Sequence, residues 1–114
     1  MNGYKDLEIY KMAFELAYEV HKMTLTLPNY ERYEQGSQIR RSSKSIKDNI
    51  AEGYGRMKYK NEFVKHLVYA LGSCNEVVSQ LEMINKIHFS QEPKLFLIEH
   101  YNVLGKKINR FIQY

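Results

Sequence analysis

Apolar residues recur along this chain at steps of three and four, and no stretch alternates convincingly with period two. That pattern predicts helices and no strands. In a first segment, about residues 6–27, Ile9, Ala13, Leu16, Val20, Met23 and Leu27 share one face. Asp6 is placed to cap its start, Glu8 suits the positive end of the helix dipole, and Pro28 stops it. A second segment, about residues 36–54, turns Ile39, Ser43, Ile46, Ile50 and Gly53 or Tyr54 inward, and Gly53 and Gly55 end it. A third, about residues 60–87 with Asn61 as candidate cap, carries Phe63, Val64, Leu67, Ala70, Leu71, Cys74, Val77, Val78, Leu81 and Ile84. A fourth, about residues 93–113, opens at Pro93, which suits a first helical turn, and runs through Phe96, Ile98, Tyr101, Leu104, Ile108, Phe111 and Ile112.

Helices of about 18–28 residues are rods of roughly 27–42 Å. Their connections are short, so sequence neighbours should pack antiparallel. The expected fold is all-α: an up-and-down antiparallel four-helix bundle, one domain over residues 1–114. The apolar arc of the third helix spans about 160–200°, against ~100° for a one-sided surface helix. Val64, Val68 and Val78 supply the surplus. Either this helix is central in the bundle, or part of its face packs on another subunit.

Composition narrows the class. With 114 residues, 44% hydrophobic and 26% charged, the chain suits one globular domain with one core and not disorder. A single cysteine, Cys74, cannot close an internal disulfide, so nothing argues for an oxidising compartment. The longest stretch free of Asp, Glu, Lys and Arg is residues 66–75, far short of the ~20 residues of a membrane span. Lys5, Asp6, Glu8 and Lys11 do not make a signal peptide. The expectation is a cytoplasmic protein with no membrane partner.

The formal net charge of +4 is unevenly placed. Residues 32–65 hold nine basic and four acidic side chains, and the rest of the chain is close to neutral at −1. A localised basic segment attracts polyanions or steers an acidic partner. It can also be an ordinary solvated helix face.

Catalytic and metal chemistry find little footing. His21, His66, His88 and His100 have no second His at i+3 or i+4 and no Glu-x-x-His spacing, which a di-iron bundle needs. One cysteine is too few for the usual zinc sets. Cys74 sits mid-helix on an apolar face, where burial opposes thiolate formation, and reads as a small core residue. Ser42, Ser43 and Ser45 lack a Gly-x-Ser-x-Gly elbow and read as small residues facing a neighbouring helix. Gly53-Tyr54-Gly55-Arg56 follows a helix and lacks the Gly-x-x-x-x-Gly-Lys-Ser/Thr of a phosphate loop. Small helical nucleases of the HEPN type carry Arg, four to six residues, then His. None of Arg32, Arg40, Arg41, Arg56 or Arg110 has a His at that distance. A non-enzymatic protein with no cofactor and no metal is expected.

The basic segment has a geometry of its own. Arg40, Lys44 and Lys47 at i, i+4 and i+7 form one strip beside the apolar face of the second helix, with Arg41 further round and Lys44 able to pair with Asp48. Arg56, Lys58 and Lys60 then alternate with Met57 and Tyr59. Cations with interleaved aromatics can hold phosphates and stack on unpaired bases. These seven residues, Arg40, Arg41, Lys44, Lys47, Arg56, Lys58 and Lys60, are the candidate nucleic-acid-binding set.

The run Gln38-Ile39-Arg40-Arg41-Ser42-Ser43-Lys44-Ser45-Ile46-Lys47-Asp48-Asn49-Ile50-Ala51-Glu52-Gly53-Tyr54-Gly55-Arg56 resembles the signature of a four-helix bundle family. That family includes bacterial proteins encoded in intervening sequences of 23S rRNA genes, also called S23 ribosomal proteins, and the accessory protein of diversity-generating retroelements. Tyr4-Lys5-Asp6-Leu7-Glu8-Ile9-Tyr10 is similar to the family's start; Asn61-Glu62-Phe63 and Ala70-Leu71-Gly72-Ser73-Cys74-Asn75-Glu76 are similar to its third helix. The resemblance covers roughly residues 4–85. Ser42 and Ser43 stand where the family often has alanine, and Tyr4 where Phe is usual. The resemblance implies four-helix protomers in a ring-like homopentamer with a basic surface. It implies a non-enzymatic role in binding RNA or DNA, and in the retroelement branch a reverse transcriptase as partner. A protein-interaction scaffold is the alternative. For Glu52 and Arg56, beside the glycine break, a structural ion pair or carbonyl cap stands as an equal alternative to ligand binding.

Overall fold

Each apolar stripe winds into a helix with its stripe turned inward. The computed structural model describes residues 3–89 and 95–113. A 3-10 turn at Tyr4–Asp6 leads into α1 (Glu8–Thr24); a one-turn helix, α2 (Asn29–Arg32), precedes α3 (Gln35–Gly55), α4 (Lys60–His88) and α5 (Leu95–Gln113). Among the described residues there is no strand. α1 packs on α3 and α5, and α4 packs on the same two, so the four long helices close a square.

Cross-helix contacts fix the directions. Thr24 meets Arg40 and Phe14 meets Lys47 across α1 and α3. Ser45 meets Ser73 and Asn49 meets His66 across α3 and α4. In each pair the later residue on one helix meets the earlier on the other, which is antiparallel packing. The molecule measures 44 × 22 × 21 Å, and the 29 residues of α4 span about 43 Å, its whole length.

The core is largely the predicted one; on α5, however, Phe96 and Phe111 are exposed and Leu97 is buried in their stead. Ile9, Val20, Ile39, Ile46, Ile50, Leu67, Val77, Leu81, Ile84, Leu104 and Ile108 are fully buried, each contributing about 1.5–3 kcal/mol relative to exposure. Ser43 is fully buried and donates to the Arg40 carbonyl at 3.1 Å. Cys74 donates to the Tyr101 carbonyl at 3.2 Å, and burial pushes its thiol up to about 11, so it stays protonated. Burial also raises the Tyr101 phenol. Val78 packs against the core from α4, so α4's breadth partly reflects its place between α3 and α5. Val68 does not join it and is 47% exposed beside exposed Tyr69.

Several helix ends differ from the sequence expectation. α1 stops at Thr24, not Leu27. Thr24 and Thr26 turn their hydroxyls back onto the His21 and Met23 carbonyls, and the backbone of residues 25–27 closes i→i+3 turns ahead of Pro28, where proline disfavours a helical residue before it. Asp6 lies in the 3-10 turn, and Leu7 holds the cap position of α1 with no side-chain cap bond. α4 starts at Lys60 with Tyr59 at the cap, so Asn61 is already inside the helix. α3 continues through Gly53 to Gly55. Pro93 lies outside the described residues. Among those described, no helix is long and apolar enough to cross a membrane.

Candidate nucleic-acid interface

The seven candidate cations do not share one environment. Arg40 is half-buried and turned toward α1. Its Nη1 donates to Thr24 Oγ1 at 2.7 Å and its Nη2 to the Arg32 carbonyl at 3.1 Å. The guanidinium passes over Gly36, where a Cβ would stand 3.2 Å from Arg40 Nη1 and 3.1 Å from the Glu31 carbonyl oxygen. Arg32 in turn donates to the Leu25 carbonyl at 3.1 Å. The same connection buries Glu31, whose Oε2 accepts from His88 Nε2 at 2.7 Å and Gln35 Nε2 at 2.9 Å. The His88 bond, foremost, holds the Glu31 carboxyl below its usual range. These bonds clasp the link from α1 to α3 onto the end of α4.

Lys47 pairs with Asp48 at 2.8 Å, and that bond raises its ammonium pKa. The Lys44–Asp48 pair that the spacing allows does not form, because Asp48 turns to Lys47. Lys44 is exposed and makes no ion pair among the described residues. Arg41 is exposed and donates to Ser37 Oγ at 2.7 Å. Arg56 bridges two carboxylates, Glu52 at 2.9 Å and Glu62 at 3.3 Å, so the ion-pair alternative describes its contacts. Glu62, which also meets Lys65 at 3.2 Å, is held below the usual carboxylate range, chiefly by Lys65. Lys58 on the turn between α3 and α4 and Lys60 at the first position of α4 are exposed, with Tyr59 and Met57 also in solvent. The structure thus brings Arg40 and Lys47 to the α1–α3 seam, leaves Lys44 exposed on α3 between them, and puts Lys58 and Lys60 beyond the far end of α3.

Two features escaped the sequence reading. A polar seam joins α3 to α4: Ser45 Oγ meets Ser73 Oγ at 3.0 Å, Asn49 donates to the Ser45 carbonyl at 3.0 Å, and Asn49 Oδ1 meets His66 Nδ1 at 3.2 Å. Aromatic rings line the chain from Tyr4 and Tyr10, partly buried against the core, to exposed Phe14 and Tyr18 on α1. Tyr4 meets Tyr10 edge-on at 4.8 Å, Tyr10 and Phe14 are 6.2 Å apart, and Lys22 sits 4.7 Å over the Tyr18 ring. The signal was the i, i+4, i+8 spacing of Tyr10, Phe14 and Tyr18. Among the described residues no three His, Cys, Asp or Glu side chains gather closely enough to hold a metal.

A family model described as the 23S rRNA-intervening sequence protein matches residues 5–110. The chain belongs to that family. The match runs through all four long helices, including the clasp and the aromatic row. A solved structure from the S23 ribosomal protein family, a protein of unknown function from Bacteroides thetaiotaomicron VPI-5482, is 20% identical. The alignment covers 93% of this chain and 99% of that one with a TM-score of 0.79, which shows a shared fold. No curated protein matches the chain.

Proposed function

We propose that this family member is a non-enzymatic, homo-oligomeric helical module that binds nucleic acid through the cations of α3 and of the turn that follows it. The observation carrying this reading is that Arg41, Lys44, Lys58 and Lys60 are exposed and none has a carboxylate partner among the described residues. They lie in the segment that holds the chain's positive excess. Cations without partners meet phosphates with no ion pair to break, and the gain comes from counterions released by the polyanion. Arg40 is tied into the clasp and Arg56 to two carboxylates, so both contribute less than the lysines.

Gel retardation of a structured RNA tests the reading. Retention at about 50 mM salt should fall by at least about tenfold at 200 mM. Replacing Lys44, Lys58 and Lys60 by Ala should weaken retention and flatten the salt dependence. Unchanged binding in that variant overturns the proposed surface. Assembly into a ring, five copies by the family resemblance, would multiply a weak patch by avidity. A light-scattering mass of one protomer at micromolar concentration overturns assembly. The exposed Val68 and Tyr69 favour a second reading, a scaffold for a protein such as a reverse transcriptase, which copurification after nuclease treatment would reveal.

A further inference from the structure

The aromatic row of α1 lies largely outside the core. Phe14 is 47% and Tyr18 55% exposed, and at i and i+4 the two rings are neighbours on one helix face, with the Lys47 and Lys22 ammonium groups over them. At about 100° per residue, Tyr10, Phe14 and Tyr18 span about 80° of α1. Lys11 and Lys22 come next round the helix, and the acids Glu8, Glu15 and Glu19 lie beyond them; Glu19 is tied to Lys22 at 3.1 Å. On the other edge stands α3, whose Lys47 ammonium is 5.9 Å from the Phe14 ring and paired with exposed Asp48 at 2.8 Å, a pair that a phosphate must displace or share. Lys44 is exposed on α3 one helical turn from both Arg40 and Lys47, on the outer side of the strip whose other two members meet α1. The rings therefore have ammonium groups along both long edges.

A ligand for this surface needs flat faces to cover the rings and negative charge at both borders. An acidic peptide supplies charge without the flat faces. A second copy presenting the same face would bring lysine against lysine; a ring contact joins two different faces, and the assembly readout below detects it. A duplex offers phosphates but keeps its base faces stacked inside. A single strand supplies both, with bases free to stack on aromatic rings and phosphates free to reach the lysines. We infer that the exposed Phe14 and Tyr18 of α1, bordered by Lys11, Lys22, Lys44 and Lys47, bind single-stranded nucleic acid by stacking its unpaired bases. The inference rests on the nucleic-acid reading above and gives it a strand preference.

Fluorescence anisotropy with labelled oligo(dT) of about 12 nucleotides, alone and annealed to oligo(dA), tests it at low salt. The native protein should hold the single strand about tenfold or more tighter than the duplex. Tyr18→Ala should weaken the single strand by roughly fivefold or more, Phe14→Ala/Tyr18→Ala by more still, and neither should change duplex binding. Tyr18→Phe keeps the ring and should bind as the native protein does, which separates stacking from misfolding. The chain has no tryptophan, so quenching of its tyrosine emission by oligo(dT), reduced in Tyr18→Phe, reports the stack directly. Native affinity for oligo(dT) in Tyr18→Ala, with binding lost in Lys44→Ala, overturns the inference and leaves the nucleic-acid reading standing. Binding of neither probe by the native protein overturns both. Dissociation of an assembly by Phe14→Ala/Tyr18→Ala at unchanged oligo(dT) affinity overturns the inference by giving the rings to contacts between copies.

Discussion

Two arginines of one basic stretch hold opposite ends of the bundle in different ways. Arg40 is half-buried and binds neutral oxygens, the Thr24 hydroxyl at 2.7 Å and the Arg32 carbonyl at 3.1 Å. Arg56 has half its side chain in water and binds charged ones, Glu52 at 2.9 Å and Glu62 at 3.3 Å. Each end also has a close-packed glycine: Gly36 lets Arg40 through, and Gly53 lets α4 approach until a Cβ there would stand 2.9 Å from His66 Cβ. Ion pairs in water are weak and screened by salt. Hydrogen bonds from a partly buried guanidinium are neither, because removing it strands the acceptors it served. Formal charge alone therefore misleads about which arginine serves the fold.

The largest test of this contrast is Arg40→Ala. It should cost about 2–3 kcal/mol and lower Tm by roughly 10 °C. Arg40→Lys should rescue little, since one ammonium cannot reproduce the fork that reaches both oxygens. A melting curve that overlays the native one would end the comparison. At the other end the glycine, not the arginine, should dominate. Gly53→Ala forces α3 and α4 apart and should cost about 1–3 kcal/mol, read as a lower denaturant midpoint at unchanged slope.

The sequence exposed the helices because burial repeats every three or four residues, and the buried faces of α1, α3 and α4 are the ones its apolar steps marked; on α5 the steps took in Phe96 and Phe111, which are exposed, and missed buried Leu97. Helix ends were less legible. Thr24 and Thr26 end α1 through bonds to their own backbone, a competition that apolar spacing does not display. The clasp was not legible at all. Glu31 and His88 lie 57 residues apart, and Arg40 and Thr24 16 apart, so only folding brings them together. For the candidate site, the positions of the cations could be read, but not which of them the fold engages: Asp48 takes Lys47 in place of Lys44, and Arg40 turns inward.

A smaller effect sharpens the clasp by pH. The Glu31 carboxyl is held below its ordinary 4.5 by the bond from His88, with help from Gln35. A depressed carboxylate adds stability that is whole above the unfolded pKa and is lost as pH falls through the folded one. Stability should therefore decline on acidification from about 4.5 downward. Glu31→Gln should begin about 1–2 kcal/mol less stable at neutral pH and show a shallower acid decline, followed by urea melts across that range. Equal acid slopes for the two proteins would remove Glu31 from the account.

The smallest expected change is for Arg56→Ala. Its two carboxylates and its own guanidinium all remain in contact with water, so losing it strands nothing in the interior. Tm should shift no more than for a neutral surface substitution, and any shift at low salt should vanish at high salt, whereas the Arg40→Ala loss should persist in both. Nucleic-acid affinity should nonetheless drop. Without Arg56 the charge of Glu52 stands unneutralised and that of Glu62 is met by Lys65 alone, and the two carboxylates repel the phosphates that Lys58 and Lys60 attract. A retardation assay on Arg56→Ala, set against Arg56→Ala/Glu52→Gln/Glu62→Gln, reads this repulsion. Recovery in the triple variant assigns Arg56 to screening its own carboxylates; a loss that persists assigns it to phosphate contact, and the two ends of the bundle would then differ in function as well as in what holds them.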